Sequence, residues 1–398
     1  MNVPLSLYLH LPWCVQKCPY CDFNSHTAGR HAPRARYVAA LCGDIAREGG
    51  RAGGRPLLSV FLGGGTPSLF SGEEIGRILE AVRQACVLAD DAEITMEANP
   101  GTLERHRLSG YRAAGVNRLS LGAQSFDDAT LRRLGRIHTA ADVSAAFRDA
   151  RRAGFDNINL DLMYALPAQT PAMAAADLEH ALALEPEHIS YYQLTLEPNT
   201  VFFAQPPADL PDDDAGDAMQ AHAGELLARA GFRQYEISAH ARAGRACRHN
   251  LNYWTFGDYL AAGAGAHGKL SDAAGTVWRY RKPDHPRAYM LMMEHAAAAP
   301  AAPRQDAAGG GDMPRPLAPA DVAFEYLLNA LRLPAGFSAA HFSERTGLPV
   351  AAVEEQLGLA VADGLLEQPA AGCWRPSALG LRFLNDLQAR FLPAGCAA

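Results

Sequence analysis

The chain has 398 residues, a net charge of −7 at pH 7 and an isoelectric point of about 6.1. This acidic balance disfavours a nucleic-acid partner, because nucleic-acid-binding domains are usually strongly basic. Hydrophobic residues make up 48% and charged residues 20% of the chain, as in ordinary globular proteins, and the length predicts one large domain and a smaller one.

No signal or membrane segment is visible in the sequence. The first residues have no charged n-region and no long apolar run, which argues against a secretory signal. Nowhere does the chain approach the ~18 consecutive apolar residues of a membrane span. We therefore expect a cytoplasmic protein.

The first predicted strand, LSLYLHL (5–11), is followed closely by Cys14, Cys18 and Cys21. In a reducing compartment, clustered cysteines are more often metal ligands or catalysts than disulfide partners. A closed tetrahedral zinc site needs four ligands, and His26 could supply the fourth. A [4Fe–4S] cluster held by three thiolates would instead leave one iron open. The spacing alone leaves both interpretations open.

Up to about residue 240, short β-branched or aromatic runs alternate with amphipathic helical stretches. The predicted strands are LSLYLHL, LLSVFLG, AEITMEA, NRLSLGA, NINLDLMY, HISYYQLTL and FRQYEIS. Repeated βα units predict a parallel sheet, and about six of them predict a barrel or partial barrel, although an open doubly wound sheet gives the same local pattern. Gly115, Gly154 and Gly231 each follow a predicted helix, and we expect them in the left-handed conformation.

The second predicted strand ends in GGGTP (63–67). Glycine has no Cβ, so we expect the backbone amides of this run to approach a ligand closely. In a parallel barrel the chemistry lies at the carboxyl ends of the strands. The cysteines after strand one and the glycines after strand two are therefore expected to meet at one site.

The C-x3-C-x2-C motif after the first strand and GGGTP after the second together resemble the radical S-adenosylmethionine superfamily. The resemblance implies an α/β fold with a partial (βα)6 barrel. It also implies a [4Fe–4S] cluster on Cys14, Cys18 and Cys21. The open iron would bind the amine and carboxylate of S-adenosylmethionine, and one electron from the cluster would cleave a sulfonium bond to give a 5′-deoxyadenosyl radical.

Polar residues stand at or near the ends of several predicted strands, where they would face the barrel mouth. Taken singly, each could be a loop hydrogen-bonding residue or a helix cap. As a set they resemble the cofactor shell of the oxygen-independent coproporphyrinogen oxidase family. The implied contacts with S-adenosylmethionine are Tyr8, Tyr20, Gly64, Gly65, Thr66, Glu97, Gln124, Arg136 and Asp161.

Two features distinguish members of that family. The decarboxylase of coproporphyrinogen III has a longer N-terminal segment and a further cysteine two positions after the third, where this chain has Phe23. The segment HNLNYW (249–254) resembles instead the HNxxYW motif of HemW-type haem chaperones. The resemblance implies haem binding by His249, Asn250, Tyr253 and Trp254.

The chemistry of that segment is consistent with haem, since histidine is a standard axial ligand of haem iron and aromatic rings can stack on a porphyrin. On chemistry alone, however, a surface or hydrogen-bonded core histidine is the more ordinary interpretation of His249.

Four regions are predicted along the chain: a radical S-adenosylmethionine barrel over 1–240, a connecting segment over 241–295, an Ala/Pro/Gly-rich linker over 296–320 and a winged-helix-like domain over 321–398. The winged-helix-like character of the last domain is predicted from its short helices and from the run CWRPS, which is a candidate β wing. Its third helix carries Glu354 and Glu355 rather than a basic cluster, so we expect a structural or protein-contacting role instead of DNA binding.

Two functions of different classes follow. The first is a haem chaperone that carries haem as cargo to haem-dependent respiratory enzymes, with acceptors at the inner membrane face, no catalytic residue and no coproporphyrinogen oxidase activity. The second is the radical decarboxylase of coproporphyrinogen III propionates in porphyrin biosynthesis. The sequence leaves the oligomeric state open, and a homodimer is compatible with it.

Overall fold

The structure is a computed structural model that describes residues 3–29, 32–103, 105–298 and 314–393. Most of the predicted 296–320 linker lies outside the described residues. The strands are β1 Leu5–Leu11, β2 Trp13–Cys14, β3 His26–Thr27, β4 Leu57–Gly64, β5 Leu88–Ala98, β6 Arg118–Gln124, β7 Ile158–Tyr164, β8 His188–Gln193, β9 Arg233–Glu236, β10 Ala239–Ala241, β11 Asp258–Ala262, β12 His267–Ser271, β13 Val277–Arg281, β14 Arg315–Pro316, β15 Phe337–Ser338, β16 Leu366–Ala370 and β17 Cys373–Pro376.

The helices follow the same chain order. They are α1 Arg34–Ala52, α2 Gly72–Ala85, α3 Arg105–Ala114, α4 Asp128–Arg133, α5 Ala140–Arg152, α6 Pro171–Ala183, α7 Val201–Ala204, α8 Asp213–Arg229, α9 Arg248–Trp254, α10 Pro286–Ala298, α11 Pro319–Ala330, α12 Ala339–Thr346, α13 Glu354–Ala362, α14 Ala378–Arg382 and α15 Leu384–Ala389. None of these helices, within the described part of the chain, has both the length and the apolar character needed to cross a membrane.

One sheet organises the molecule, in the order β14-β13-β12-β11-β1-β4-β5-β6-β7-β8-β10-β9. The seven strands from β11 to β8 are parallel. Among the described strands, β14 and β9 end the sheet and do not pair with each other. This confirms the predicted α/β fold with a partial barrel.

The two faces of the sheet differ because apolar and polar residues alternate along its strands. In β1 the four leucines belong to the main hydrophobic core, together with residues of the surrounding helices. Ser6, Tyr8 and His10 occupy the alternate positions. A polar inner face suits a barrel that encloses a site, whereas a doubly wound sheet would cover both faces with apolar helices.

Glycines end several helices as predicted. Gly115, Gly154 and Gly231 follow α3, α5 and α8 with φ of 110°, 91° and 83°. A side chain is disfavoured in this backbone conformation, which explains glycine at the turns.

Two regions differ from the sequence-based expectation. The run FRQYEIS was expected to continue the parallel series, but β9 pairs antiparallel with β10, which pairs antiparallel with β8. Only two residues separate β9 from β10, too few for the crossover that a parallel pair needs. The segment 241–295, expected as a connection, adds β11, β12 and β13 directly to the main sheet.

The C-terminal region has its own apolar core, built from α11 to α15 and the small sheet β15-β17-β16. The candidate wing CWRPS forms β17, which is antiparallel to both of its neighbours. Phe256 and Val277 of the main sheet region belong to this core as well. The second domain therefore packs against the strands and helix that carry the HNxxYW segment.

Candidate functional site

The three cysteines lie in the loop after β1, and all three are free and partly exposed. Short strands close this loop at its base, with Trp13 of β2 opposite His26 of β3. Arg136 donates from Nη1 to the Cys18 Sγ at 3.6 Å. Burial raises the pKa of the Cys14 and Cys21 thiols, which favours the protonated form unless a metal replaces the proton.

An iron–sulfur cluster with an anionic ligand requires free thiols and positive charge close to them. A small cleft beside Cys18 is lined by Thr66, Asn99 and Arg136. The Arg136 Nε is buried, and the described residues offer it no hydrogen-bond partner. Three free thiols on one loop, next to a guanidinium that contacts Cys18 and has an unpartnered Nε, suit the chemistry of a bound cluster with an anionic ligand.

The zinc interpretation requires His26 as the fourth ligand. The His26 Nε2 lies 3.1 Å from Asn24 Oδ1. In the part of the chain that the structure describes, no three His, Cys, Asp or Glu residues, the three cysteines included, stand close enough together to hold a metal ion, so neither interpretation has a preformed ligand set.

The glycine run after β4 serves the loop in a different way from that predicted. The Gly64 N–H donates to Glu97 Oε2 at 3.1 Å, and the Gly65 N–H donates to the Leu11 carbonyl at 2.8 Å. The amides expected to contact a ligand are thus used within the chain. A Cβ on Gly64 would lie 2.4 Å from the His10 ring, and a Cβ on Gly65 would lie 2.7 Å from backbone atoms of Pro12 and Trp13. The glycines let β4 approach the start of the cysteine loop.

The predicted polar residues converge at the mouth of the barrel. Burial and, to a lesser extent, the nearby Asp161 together raise the pKa of Glu97 to about 7. Burial and Glu97 raise the pKa of Tyr8, and burial raises that of Tyr20 beside Cys18. The Gln124 Oε1 accepts a hydrogen bond of 2.7 Å from Tyr192. These electrostatic contacts group Tyr8, Glu97 and Asp161 in one place, with Tyr20 and Arg136 at Cys18.

Two residues of the mouth were not predicted. Tyr192 ends β8 next to Asp161, Tyr20 and Arg136, each of which affects its pKa. The same rule of polar residues at strand ends could have identified it. His10 joins the cysteine loop to Tyr8, because its Nε2 donates to the Asn24 carbonyl at 2.8 Å and its Nδ1 accepts from the Tyr8 hydroxyl at 3.0 Å.

Ionisation of Glu97 should affect stability. Its pKa is about 7 in the folded protein against 4.5 ordinarily, so the folded state holds the proton longer and the free energy of unfolding falls as pH rises from about 4.5 to about 7. Glu97→Gln cannot ionise, yet it keeps an oxygen for the Gly64 N–H. We expect it to be about 1–3 kcal/mol more stable than the unmodified protein at pH 8 and to lose this advantage toward pH 5.

Urea unfolding at both pH values measures this difference. Glu225→Gln on α8 is the control, since this side chain is 71% exposed, and it should show no such gain. An advantage for Glu97→Gln that is equal at pH 5 and pH 8 would contradict a raised carboxyl pKa.

The HNxxYW segment forms α9 and lies apart from the cysteine loop, on the inner face of the barrel. The Glu93 carboxylate of β5 accepts hydrogen bonds from the backbone N–H groups of Arg248 and His249 at 3.0 and 3.3 Å. A carboxylate at the first turn of a helix is stabilising. The Cys247 thiol donates to the same carboxylate at 3.3 Å. Glu93 therefore fixes the start of α9 against the barrel.

His249 is only 3% exposed in this position. Its Nδ1 lies 3.0 Å from Ser59 Oγ, and its ring stacks on Phe61 at 4.9 Å. Since the Ser59 hydroxyl donates to Ser6 at 2.8 Å, the Nδ1 must carry the hydrogen and the Nε2 the lone pair. Burial lowers the pKa of the ring to about 3. In this conformation the Nε2 is enclosed, so haem could reach it only if α9 moved.

Of the other residues of the segment, Tyr253 packs on the main sheet and Trp254 contacts the second domain. Tyr253 packs on Tyr259 at 4.2 Å, and the Arg332 guanidinium lies 4.3 Å above the Trp254 ring. Asn250 is half-buried on the same helix. The expected haem-binding set is thus brought together on one short helix, but its side chains pack within the protein.

Comparisons with known proteins bear on the whole chain. Residues 8–181 match the radical SAM superfamily, and residues 317–383 match the HemN C-terminal domain. The haem chaperone HemW of Haemophilus influenzae is 45% identical over 393 residues, 98% of each chain. The haem chaperone HemW of Escherichia coli K12 is 44% identical over 389 residues, again 98% of each chain.

A solved structure supports the fold. Coproporphyrinogen III oxidase (HemN) of Escherichia coli, described as a radical SAM enzyme, matches with a TM-score of 0.81 over 98% of this chain and 90% of that chain. At 23% identity the likeness establishes the shared fold alone: a mixed sheet followed by a C-terminal helical domain.

Proposed function

Because the chain belongs to the HemW family of haem chaperones and carries a radical SAM domain, we propose that it binds haem and delivers it to haem-dependent proteins. The observation that carries this proposal is the 45% identity to a haem chaperone across 98% of both chains. The relationship covers the cysteine loop, the barrel mouth, α9 and the C-terminal domain together.

The proposed resident cofactors are a [4Fe–4S] cluster and S-adenosylmethionine. Cys14, Cys18 and Cys21 would hold the cluster, and the three free thiols beside a cationic guanidinium support this assignment. When bound, the cluster supplies single electrons and one open iron to which the amine and carboxylate of S-adenosylmethionine can bind.

The protein's own residues have separable roles around this site. Arg136 places positive charge at Cys18, which favours anionic sulfur and an anionic ligand. Glu97 and Asp161 offer carboxylate oxygens that could accept hydrogen bonds from ribose hydroxyls. Tyr192 orients Gln124 through a 2.7 Å hydrogen bond. Tyr8, Tyr20 and Thr66 complete the proposed cofactor shell, to which Gly64 and Gly65 contribute by letting β4 approach the start of the cysteine loop.

The proposed recipients are haem-dependent respiratory enzymes at the inner membrane face, and the proposed location of the chaperone is the cytoplasm. This part rests on the family relationship. The HNxxYW residues of α9 are the haem site that the family resemblance implies, and the burial of His249 requires that α9 move before this site can be used.

The second candidate function is oxidation of coproporphyrinogen III, for which the match of residues 317–383 to the HemN C-terminal domain is the supporting observation. Against it stands Phe23, which occupies the position of that enzyme's further cysteine. Phe23 is 59% exposed and has no thiol, so it could not take over a redox or ligand role of that cysteine.

The two functions are distinguished by one set of assays on anaerobically purified protein with a reconstituted cluster. We expect haem binding, seen as a haem absorbance change that saturates at one haem per chain, and transfer of that haem to an apo-form of a haem protein. We also expect no conversion of coproporphyrinogen III to protoporphyrinogen IX. Catalytic conversion, without stable haem binding, would contradict the chaperone function.

A further inference from the structure

The barrel exposes large apolar side chains mainly at its mouth. Seven such side chains are exposed within the described residues up to 298, and five of them follow the carboxyl ends of strands. These five are Val15, Phe23, Ile137, Val201 and Phe203, with exposed fractions of 44–59%. Exposed apolar side chains that cluster at one face mark a binding surface more often than scattered ones do.

Phe23 is the most exposed of them, yet its backbone is fixed. The next residue, Asn24, donates from its side-chain nitrogen to the carbonyls of Ala264 and Asp284 at 3.1 and 2.8 Å. The Asn24 carbonyl accepts from His10 Nε2 at 2.8 Å. An aromatic ring held out on a fixed loop loses little conformational entropy when a ligand covers it.

His26 is tied to the same stretch of the loop through the Asn24 side chain, and it has a defined tautomer. Because the Asn24 side-chain nitrogen donates to two carbonyls, its Oδ1 is the acceptor of the 3.1 Å contact with His26 Nε2. The hydrogen therefore sits on Nε2, and the neutral ring carries its lone pair on Nδ1. The neighbouring His285 ring, 5.4 Å away, instead uses its Nδ1 to accept from the Arg287 N–H at 3.2 Å.

Charge at the same place suits an anionic group. The exposed Lys17 ammonium lies 3.2 Å from the Phe23 carbonyl and acts electrostatically on His26. Asp284 is also close to His26, which interacts with both its backbone carbonyl and its carboxylate, and that carboxylate is 4.0 Å from Arg281. A ligand that packs on Phe23 could therefore place a carboxylate near the Lys17 ammonium. The negative charge of Asp284 would oppose this less strongly, because Arg281 lies close to it.

We propose that haem docks on this outer face of the cysteine loop, with its ring on Phe23, its iron on His26 and a propionate at Lys17. The inference rests on the proposed haem-binding function and specifies its site. Haem combines a flat apolar ring, an iron that needs an axial ligand and two carboxylates, and each of these features has a matching group here. In this proposal the loop of Cys14, Cys18 and Cys21 also binds the haem. His249, by contrast, packs inside the barrel.

The test is haem titration of the full-length, reconstituted protein under anaerobic conditions. His26→Met should keep a haem ligand of a different kind, so the Soret band should shift while binding persists. His26→Ala and Phe23→Ala should each weaken binding about tenfold, the size expected for loss of an anchoring contact. The matched controls are His222→Ala on α8 and Phe383→Ala, whose ring is 45% exposed in the second domain; both should bind like the unmodified protein.

Several results would overturn the inference. One is an unchanged Soret band and an unchanged haem affinity in all three loop variants. Another is loss of haem binding in a His249→Ala protein that unfolds at the normal temperature, since this would place haem at α9. Phe23→Ala could also abolish self-association without affecting haem, which would make the face an interface between copies. If the unmodified protein binds no haem at all, the proposed function fails instead.

Discussion

Replacement of Cys18 by alanine is expected to abolish the iron–sulfur cluster. With two thiolates left, the cluster loses one of its three protein ligands, and the buried Arg136 guanidinium loses the sulfur to which its Nη1 donates at 3.6 Å. We expect iron content after anaerobic reconstitution to fall from about four per chain to near zero. The broad visible absorbance of the cluster should disappear with it.

Cys42→Ala is the matched control for this experiment. Cys42 lies on α1, where its thiol donates to the Arg77 carbonyl at 3.7 Å, away from the cysteine loop. Its loss should leave the iron content unchanged. A Cys18→Ala protein that still holds a full cluster would refute the assignment of Cys14, Cys18 and Cys21 as the ligand set.

Gly65→Ala should destabilise the site severely. The added Cβ would lie 2.7 Å from Pro12 C and Trp13 O, and real Cβ atoms do not come so close to the backbone. The Gly65 N–H also bonds the Leu11 carbonyl at 2.8 Å, so displacement of the glycine run breaks the contact that holds the start of the cysteine loop. We expect a loss of about 2–4 kcal/mol in the free energy of unfolding, together with poor cluster retention.

The effect is measured by urea unfolding of the cluster-free protein and by iron content after reconstitution. Gly358→Ala on α13 is the control, because no other atom lies within 4 Å of its added Cβ. That change should stabilise the helix by up to about 1 kcal/mol. If Gly65→Ala were as stable as Gly358→Ala, the close approach would have no structural role.

The raised pKa of Glu97 and the proposed haem-docking face at Phe23 differ in how far the sequence predicts them. A raised pKa at Glu97 follows from a polar residue on an inward-facing strand position, which alternation along the strand already indicates. No such pattern predicts that His285 lies next to the loop of Phe23, His26 and Lys17. His285 reaches this loop only after the chain has passed through the whole barrel. No local pattern relates residues so far apart.

The sequence by itself determined the α/β class and the polar residues that meet at the barrel mouth. It also predicted seven strands, six of which are parallel members of the sheet. These features depend on local alternation and on the rule that parallel strands end at one edge. Only the tertiary structure decided that the Gly64 and Gly65 amides donate to Glu97 and to the end of β1, and that His249 is buried. The reason is the pairing of β11 with β1, in which Leu5 lies beside Asp258. This register, set by packing between distant segments, places α9 inside the barrel.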